Sequence, residues 1–281
     1  MARVCILTDS TAQFPQPSFP GQELVNILPL RFHLRGQHLK DGADLNLADL
    51  PYSARQRAGA ISLPPTLGDF RRAILALQDQ GSEVIAILVS AQLIPVYNRA
   101  QEAATHSPGS LPISVIDSQT SGIGLGLLVQ SAAEAAQEGA TAAEIKHLIR
   151  KQIAQIYTLF TVQSLTYLAL AGHLDPAQAL VGEMLELTSV YILENGRLVP
   201  IQKARNTRHL LDLLHEFVAE FGDLKHIALL RGMLPFESEA RNLRERIGLS
   251  FPTAPYSEHT MNTALAGILG PRSLGLVAME A

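Results

Sequence analysis

The chain has 281 residues, of which 47% are hydrophobic and 17% charged, and its formal net charge is −4. That length exceeds the usual size of a single core, and the composition is too apolar for a disordered chain, so two globular units are expected. No run of five or more lysines and arginines occurs, so neither nucleic acid nor an anionic membrane is an expected partner.

The opening segment MARVCILTDS carries a short apolar run, Val4–Leu7, that reaches Thr8 and Asp9 almost at once. A secretory leader needs an apolar region of about 7–15 residues, so this run reads as a first strand and the expected location is cytoplasmic. Cys5 is the single cysteine, which excludes an intrachain disulfide and any cysteine-rich metal site. Next come a helix at Phe70–Gln80, a strand at Val84–Val89, a helix at Val96–Thr105, a strand at Ser114–Ile116 and a helix at Gly124–Gln137. Val84–Val89 contains the longest strongly apolar run, far short of the roughly 20 residues that span a bilayer. Aliphatic strands alternating with stretches of helical period predict a doubly wound, mostly parallel sheet.

From Tyr157 the order changes. Tyr157–Val162 reads as a strand, and Ser189–Leu193 and Leu198–Gln202 flank the turn Glu194-Asn195-Gly196-Arg197. Asn-Gly between two strand-like runs is a strong hairpin signal, and it predicts an antiparallel pair in a second, mixed sheet. A helix at Thr207–Glu220, a strand at His226–Leu230, a helix at Glu237–Ile247 and a strand at Leu274–Ala278 complete the pattern. The expected organisation is an α/β chain with a Rossmann-like domain over 1–158 and a second α/β domain with a mixed sheet over 159–281.

The familiar catalytic motifs are missing: there is no G-x-x-x-x-G-K, no strand followed by G-x-G-x-x-G, no H-E-x-x-H and no G-x-S-x-G. Gly122, Gly124 and Gly126 form a G-x-G-x-G run leading into an apolar helix, which favours close helix packing over a phosphate cradle. The nine histidines are scattered without metal-ligand spacing, so no metal site is expected. Three polar positions stand at strand ends or in short loops: Asp9-Ser10, Ser62 before Pro64-Pro65, and Ser90 directly after Val84–Val89. Ligands gather at the carboxyl ends of strands in open α/β sheets, so these hydroxyls are candidates to hold a carboxylate or hydroxyl group. For Asp9 and Ser10, helix or loop capping is an equal alternative.

The order of these landmarks resembles the DegV family. ILTDSTAQFP at 6–15, Leu28-Pro29-Leu30 with Lys40-Asp41-Gly42, ISLPPTLGDF at 61–70 and SAQLIPVYNRAQEAA at 90–104 are similar to successive family segments. So are VIDSQTSGIGLGLLV at 115–129, SLTYLALAGHL at 164–174, ENGRLVPIQKARNTRHLL at 194–211 and LGPRSLGLV at 269–277. The resemblance implies a two-domain DegV-like fold and a carrier, not an enzyme. Such a carrier holds one long-chain fatty acid in the interdomain cleft, has no other cofactor, and has a separate fatty acid kinase subunit as its implied partner. Burying an acyl chain yields about 0.8 kcal/mol per methylene, so a few hydroxyls suffice to orient the head.

The segment also departs from the family pattern. Ser62 and Ser90 keep family hydroxyls, but Ile61 stands in place of threonine, Ala91 in place of a second serine, and Ile94 within a former S-G-T turn. His173 replaces arginine, Ile268 replaces histidine, and Arg272 replaces glycine. Two readings stay open: Ser62 and Ser90, with His173 or Arg272, still hold a carboxylate, or the pocket now takes a less polar lipid. His259 is a further candidate to enter the cleft. The alternatives from other classes are a hydrolase or transferase with Ser90 as nucleophile, which requires a histidine within hydrogen-bond reach, and a nucleotide or sugar-phosphate binder, which the missing phosphate loop disfavours.

Overall fold

The computed structural model describes residues 3–51, 60–79, 82–105, 112–185, 187–233 and 236–281. The first part of the chain runs β1 (Arg3–Asp9), β2 (Val25–Leu28), β3 (Arg31–Leu34), β4 (Gln37–Lys40), β5 (Ile61–Leu63), α1 (Leu67–Asp79), β6 (Ser82–Leu88), α2 (Val96–Thr105), β7 (Ile113–Asp117), α3 (Gly122–Gln137) and α4 (Ala142–Ile153). The rest runs β8 (Ile156–Val162), α5 (Leu165–Leu170), α6 (Pro176–Met184), β9 (Thr188–Glu194), β10 (Arg197–Ala204), α7 (Thr207–Ala219), β11 (Leu224–Arg231), α8 (Glu237–Ser250), β12 (Tyr256–Thr260), α9 (Thr263–Leu269) and β13 (Leu274–Glu280).

The described residues form three sheets. A parallel sheet has the order β2-β1-β6-β7, as continuous aliphatic strands such as Val84–Leu88, buried on both faces, require. A mixed sheet has the order β10-β9-β8-β13-β11-β12, antiparallel throughout except for β11 beside β12. The third is a small antiparallel sheet, β4-β3-β5. The expected doubly wound and mixed sheets are therefore both present. The anticipated division after residue 158 falls inside β8, whose seven residues belong to the mixed sheet. Helix α1 begins three residues before the expected Phe70, and Gln80 lies outside the described residues.

Helix α3 explains how the two large sheets meet. Gly122 to Val129 are all buried, so the helix has no solvent face along its first two turns. It touches β1 and β6 of the parallel sheet and β8, β11 and β13 of the mixed sheet. The glycines allow this proximity: a Cβ at Gly126 would collide with the Gln13 carbonyl, and one at Gly122 would lie 2.9 Å from Leu230. The G-x-G-x-G run is thus a packing device. One hydrophobic core extends from Ile6 and Ile85 through Leu125 to Phe160, Leu230 and Val277, while α7 and α8 cover the opposite face of the mixed sheet with a second core. The predicted Asn195-Gly196 turn closes β9 onto β10, with φ of 49° and 78° at its central residues, as a two-residue hairpin of this kind requires.

The carboxyl end of β1 is held by buried polar bonds. The Asp9 carboxylate accepts from Thr11 N at 3.0 Å, Thr11 Oγ1 at 2.6 Å and Val89 N at 2.8 Å, with no exposed surface. Removing it strands two buried backbone donors, each costing about 1–3 kcal/mol. Asp9→Ala is therefore expected to lower the unfolding free energy by about 2–5 kcal/mol in urea titrations. A loss below about 0.5 kcal/mol, the ordinary size of a neutral surface change, contradicts this role.

Candidate functional site

Ser90 follows β6, and its backbone is fixed before its side chain is considered. Its N–H donates to the Thr120 carbonyl at 2.9 Å, and its own carbonyl accepts from Leu93 and Ile94. The hydroxyl is fully buried and donates to the Gly196 carbonyl at 2.8 Å, while accepting from Gln92 N at 3.2 Å. A residue 106 positions away, at the tip of the β9–β10 hairpin, is thereby tied to the end of the parallel sheet. Gln92 adds a second tie, accepting from Arg197 Nε at 3.0 Å. No room remains at the turn, since a Cβ at Gly196 would collide with Ser90 Oγ.

His173 belongs to this cluster. It sits between α5 and α6, and its Nε2 bonds to the Leu93 carbonyl at 3.1 Å. An acceptor carbonyl assigns the proton to Nε2. Burial holds the ring below the ordinary imidazole value, with the Leu93 bond opposing that shift, so the side chain is neutral at pH 7. The expectation that His173 replaces a permanent cation thus meets a neutral donor already engaged by the backbone. Ile94, which follows Leu93, is buried at 2% exposure within the main core.

The other candidates form two neighbouring groups. Asp9 reaches the Ser90 segment through Val89 N, and Ser10 Oγ accepts from Leu30 N at 3.0 Å and bonds to Asp41. Burial raises both Asp9 and Asp41 above the usual carboxylate range, and for Asp9 the nearby Asp41 adds to that effect. Ser62 lies on β5 opposite Phe32 and donates to the Ala264 carbonyl of α9 at 3.2 Å; Ile61 is half-buried opposite His33. Ile268 is buried in α9 as part of the core. Arg272 follows α9, and its Nε is buried without a hydrogen-bond partner among the described residues. Ser90, Ile94 and His173 are therefore linked through the backbone of the 90–94 turn, whereas Ser62 reaches α9, the helix that contains Ile268. His259 lies on the edge strand β12, not beside Ser90.

Three contributors escaped the sequence reading. Asn262 caps α9, accepting from Leu265 N at 2.9 Å, and its amide donates to the Ser10 and Thr11 carbonyls. Asp117 accepts from Ala91 N and Gln119 N, holding the loop where the family serine is absent. Tyr167 donates to the Pro51 carbonyl at 2.6 Å, and burial pushes its phenol up to about 12. The signal for Asn262 was legible, since Asn before the apolar run TALAGIL is a helix start.

An apolar cavity of about 510 Å³ lies between α5, α6 and the β9–β10 pair. Leu165, Leu174, Val181, Leu185 and Tyr191 give it hydrocarbon walls, and Leu174 adjoins His173. Helix α6 is its outer wall, and that helix also exposes Leu180 and Met184, 63% and 73% accessible. No group of three or more histidine, cysteine, aspartate or glutamate side chains suited to a metal exists among the described residues. No described helix is long and apolar enough to cross a membrane.

A parallel sheet and a mixed sheet joined through one helix, with buried hydroxyls at their junction and an apolar chamber alongside, define a small-molecule-binding α/β protein. The family model described as "Uncharacterised protein, DegV family" matches residues 3–281, and the chain belongs to that family. A DegV domain-containing protein of Streptomyces coelicolor is 26% identical over 276 residues, covering 98% of this chain and 97% of that protein. Among solved structures, a fatty-acid-binding DegV family protein of Thermus thermophilus superposes with a TM-score of 0.83 at 25% identity, covering 99% of this chain and all of that one. The fatty acid kinase B3 protein of Streptococcus pneumoniae, loaded with linoleic acid, gives 0.84 at 21% identity with full coverage of both chains.

Two outcomes are expected. Ser90→Ala removes the tie to Gly196 and leaves that buried carbonyl unpaired, which should cost about 1–3 kcal/mol in denaturant unfolding; an unchanged midpoint contradicts the contact. The second concerns pH. Burial lowers the folded-state values of His173, His226 and His259, so below the ordinary value of 6.5 the unfolded chain binds more protons than the folded one. The contribution of these three histidines to stability should therefore fall as pH drops from 7 through 6.5 toward 5, opposed by the raised carboxyls of Asp9 and Asp41. His173→Phe should flatten part of that slope, as read from thermal melts across the range.

Proposed function

We propose that this protein is a fatty acid carrier, with the acyl chain in the cavity beneath α6 and the carboxyl group directed toward the sheet junction at Ser90. The observation that carries the reading is the 510 Å³ apolar chamber, one of whose lining residues, Leu174, follows His173, which is tied to the Ser90 turn through the Leu93 carbonyl. The volume falls within the range of about 300–1,000 Å³ typical of small-molecule sites. A long acyl chain transferred there gains about 0.8 kcal/mol per methylene, so the head group needs only orientation. The Thermus thermophilus and Streptococcus pneumoniae proteins, one a fatty acid binder and the other loaded with linoleic acid, support the same ligand class.

The division into two domains near residue 158 belongs to this reading, with Ser90 contributed by the first and the hairpin by the second. So does the kinase partner: the head group sits beside polar loops while the chain lies under α6, leaving the carboxyl as the end presented to a separate phosphoryl-transferring subunit. No chemistry of the carrier's own is invoked. The Ser90 hydroxyl hydrogen is donated to the Gly196 carbonyl, and His173 is bonded to the Leu93 carbonyl, so neither forms the serine–base pair that a nucleophile needs. The binder of a less polar lipid is the second reading, favoured by the neutral His173 and by the aliphatic Ile61, Ile94 and Ile268.

Native mass spectrometry of the purified protein followed by organic extraction tests the proposal. About one free fatty acid per chain is expected; a neutral lipid supports the second reading, and nucleotide or no ligand defeats both. Ala177→Phe, at an exposed position lining the chamber, should reduce fatty acid affinity at least about tenfold, or about 1.4 kcal/mol. Full retention of affinity places the chain outside this cavity.

A further inference from the structure

The small sheet β4-β3-β5 carries a charge arrangement that the carrier reading does not use. Arg31 on β3 stands directly opposite Lys40 on β4, so two cations project from one face of the same cross-strand pair. Like charges in that position repel and destabilise an antiparallel ribbon. The next pair on this face is His33 opposite His38, with ring centroids 5.3 Å apart. Neither Arg31 nor Lys40 is within ion-pair distance of a carboxylate among the described residues.

These two cations border a cavity of about 390 Å³ whose other walls are Leu28, Pro29, Asp69, Arg72 and Ala73. Arg31 is held in place there, because its Nε donates to the Pro64 carbonyl at 3.0 Å. Asp69 is the single carboxylate of the lining, and it is already committed: it accepts from Thr66 N at 2.9 Å and from Thr66 Oγ1, and pairs with Arg72. Three cations against one carboxylate leave a net charge of +2 in a chain whose total is −4. The three cations come from separate segments, which is why no basic run marks the place in the sequence.

We infer that the cavity between β3, β4 and α1 binds a phosphomonoester through Arg31, Lys40 and Arg72. A phosphomonoester carries about −1.5 to −2 charges near neutral pH, which matches the net +2. A carboxylate would leave half of that charge uncompensated. Guanidinium groups suit phosphate because their planar donors engage two oxygens together. The cavity exceeds the size of a bare phosphate, so the ligand has an organic substituent, for which Leu28, Pro29 and Ala73 provide an apolar wall. A soluble metabolite and a lipid headgroup both offer this chemistry.

Calorimetric titration of the full chain with glycerol 3-phosphate in low-salt buffer tests the free ligand, and co-sedimentation with phosphatidylcholine vesicles with and without phosphatidic acid tests the lipid. Saturable binding in either arm, weakened at least tenfold in Lys40→Ala, supports the site and identifies the source. Lys40→Ala should also melt no lower than wild type without ligand, because it relieves the repulsion with Arg31; this guards against loss of binding through misfolding. No saturable binding in either arm overturns the proposal. So does binding that Lys40→Ala and Lys40→Ala/Arg72→Ala both leave unchanged.

Discussion

The buried carboxylate of Asp9 is the constraint on which the rest of the arrangement depends. It ends β1 with three accepted hydrogen bonds, one of which fixes Val89 and so fixes the start of the Ser90 segment. From the same strand end, the Ser10 and Thr11 carbonyls hold the Asn262 cap of α9, and Ser10 Oγ holds Leu30 before β3. A charged group without solvent is costly, and the raised carboxyl value records that cost. The structure tolerates it because no neutral side chain of this length accepts from three donors at once. Parallel sheet, small sheet and α9 are thereby indexed to one point.

The polar junction and the apolar chamber follow from that indexing. Ser90 and Gly196 come together because β6 ends where Asp9 places it and because the hairpin's positive φ values turn a carbonyl toward it. Ile94 and Ile268 are core residues, and their side chains pack without needing a polar partner.

Much of the fold was legible because its strands are long and uniform. Val84–Val89 is aliphatic throughout, and Asn195-Gly196 is a turn that sequence alone defines. The small sheet was not legible. Its β3–β4 hairpin turns at Arg35-Gly36, with arginine at φ 51°, a position where asparagine is the usual marker. Its four-residue strands also lack a long periodic pattern. The site was half-legible: Ser90 and His173 stood out as polar residues at loop positions, but their partners Gly196 and Leu93 are 106 and 80 residues distant. Tertiary pairing assigns those bonds, and no local propensity encodes them.

Helix α3 has one more consequence. Because its first turns lack a polar side and the main core runs through it from one large sheet to the other, parting the sheets would expose apolar surface on both halves at once. At about 25 cal/mol per Å², wetting even a few hundred Å² costs several kcal/mol. Any opening that avoids this cost leaves the contacts of α3 with both large sheets intact. The spacer helix makes the two large sheets a single body, not a pair of jaws.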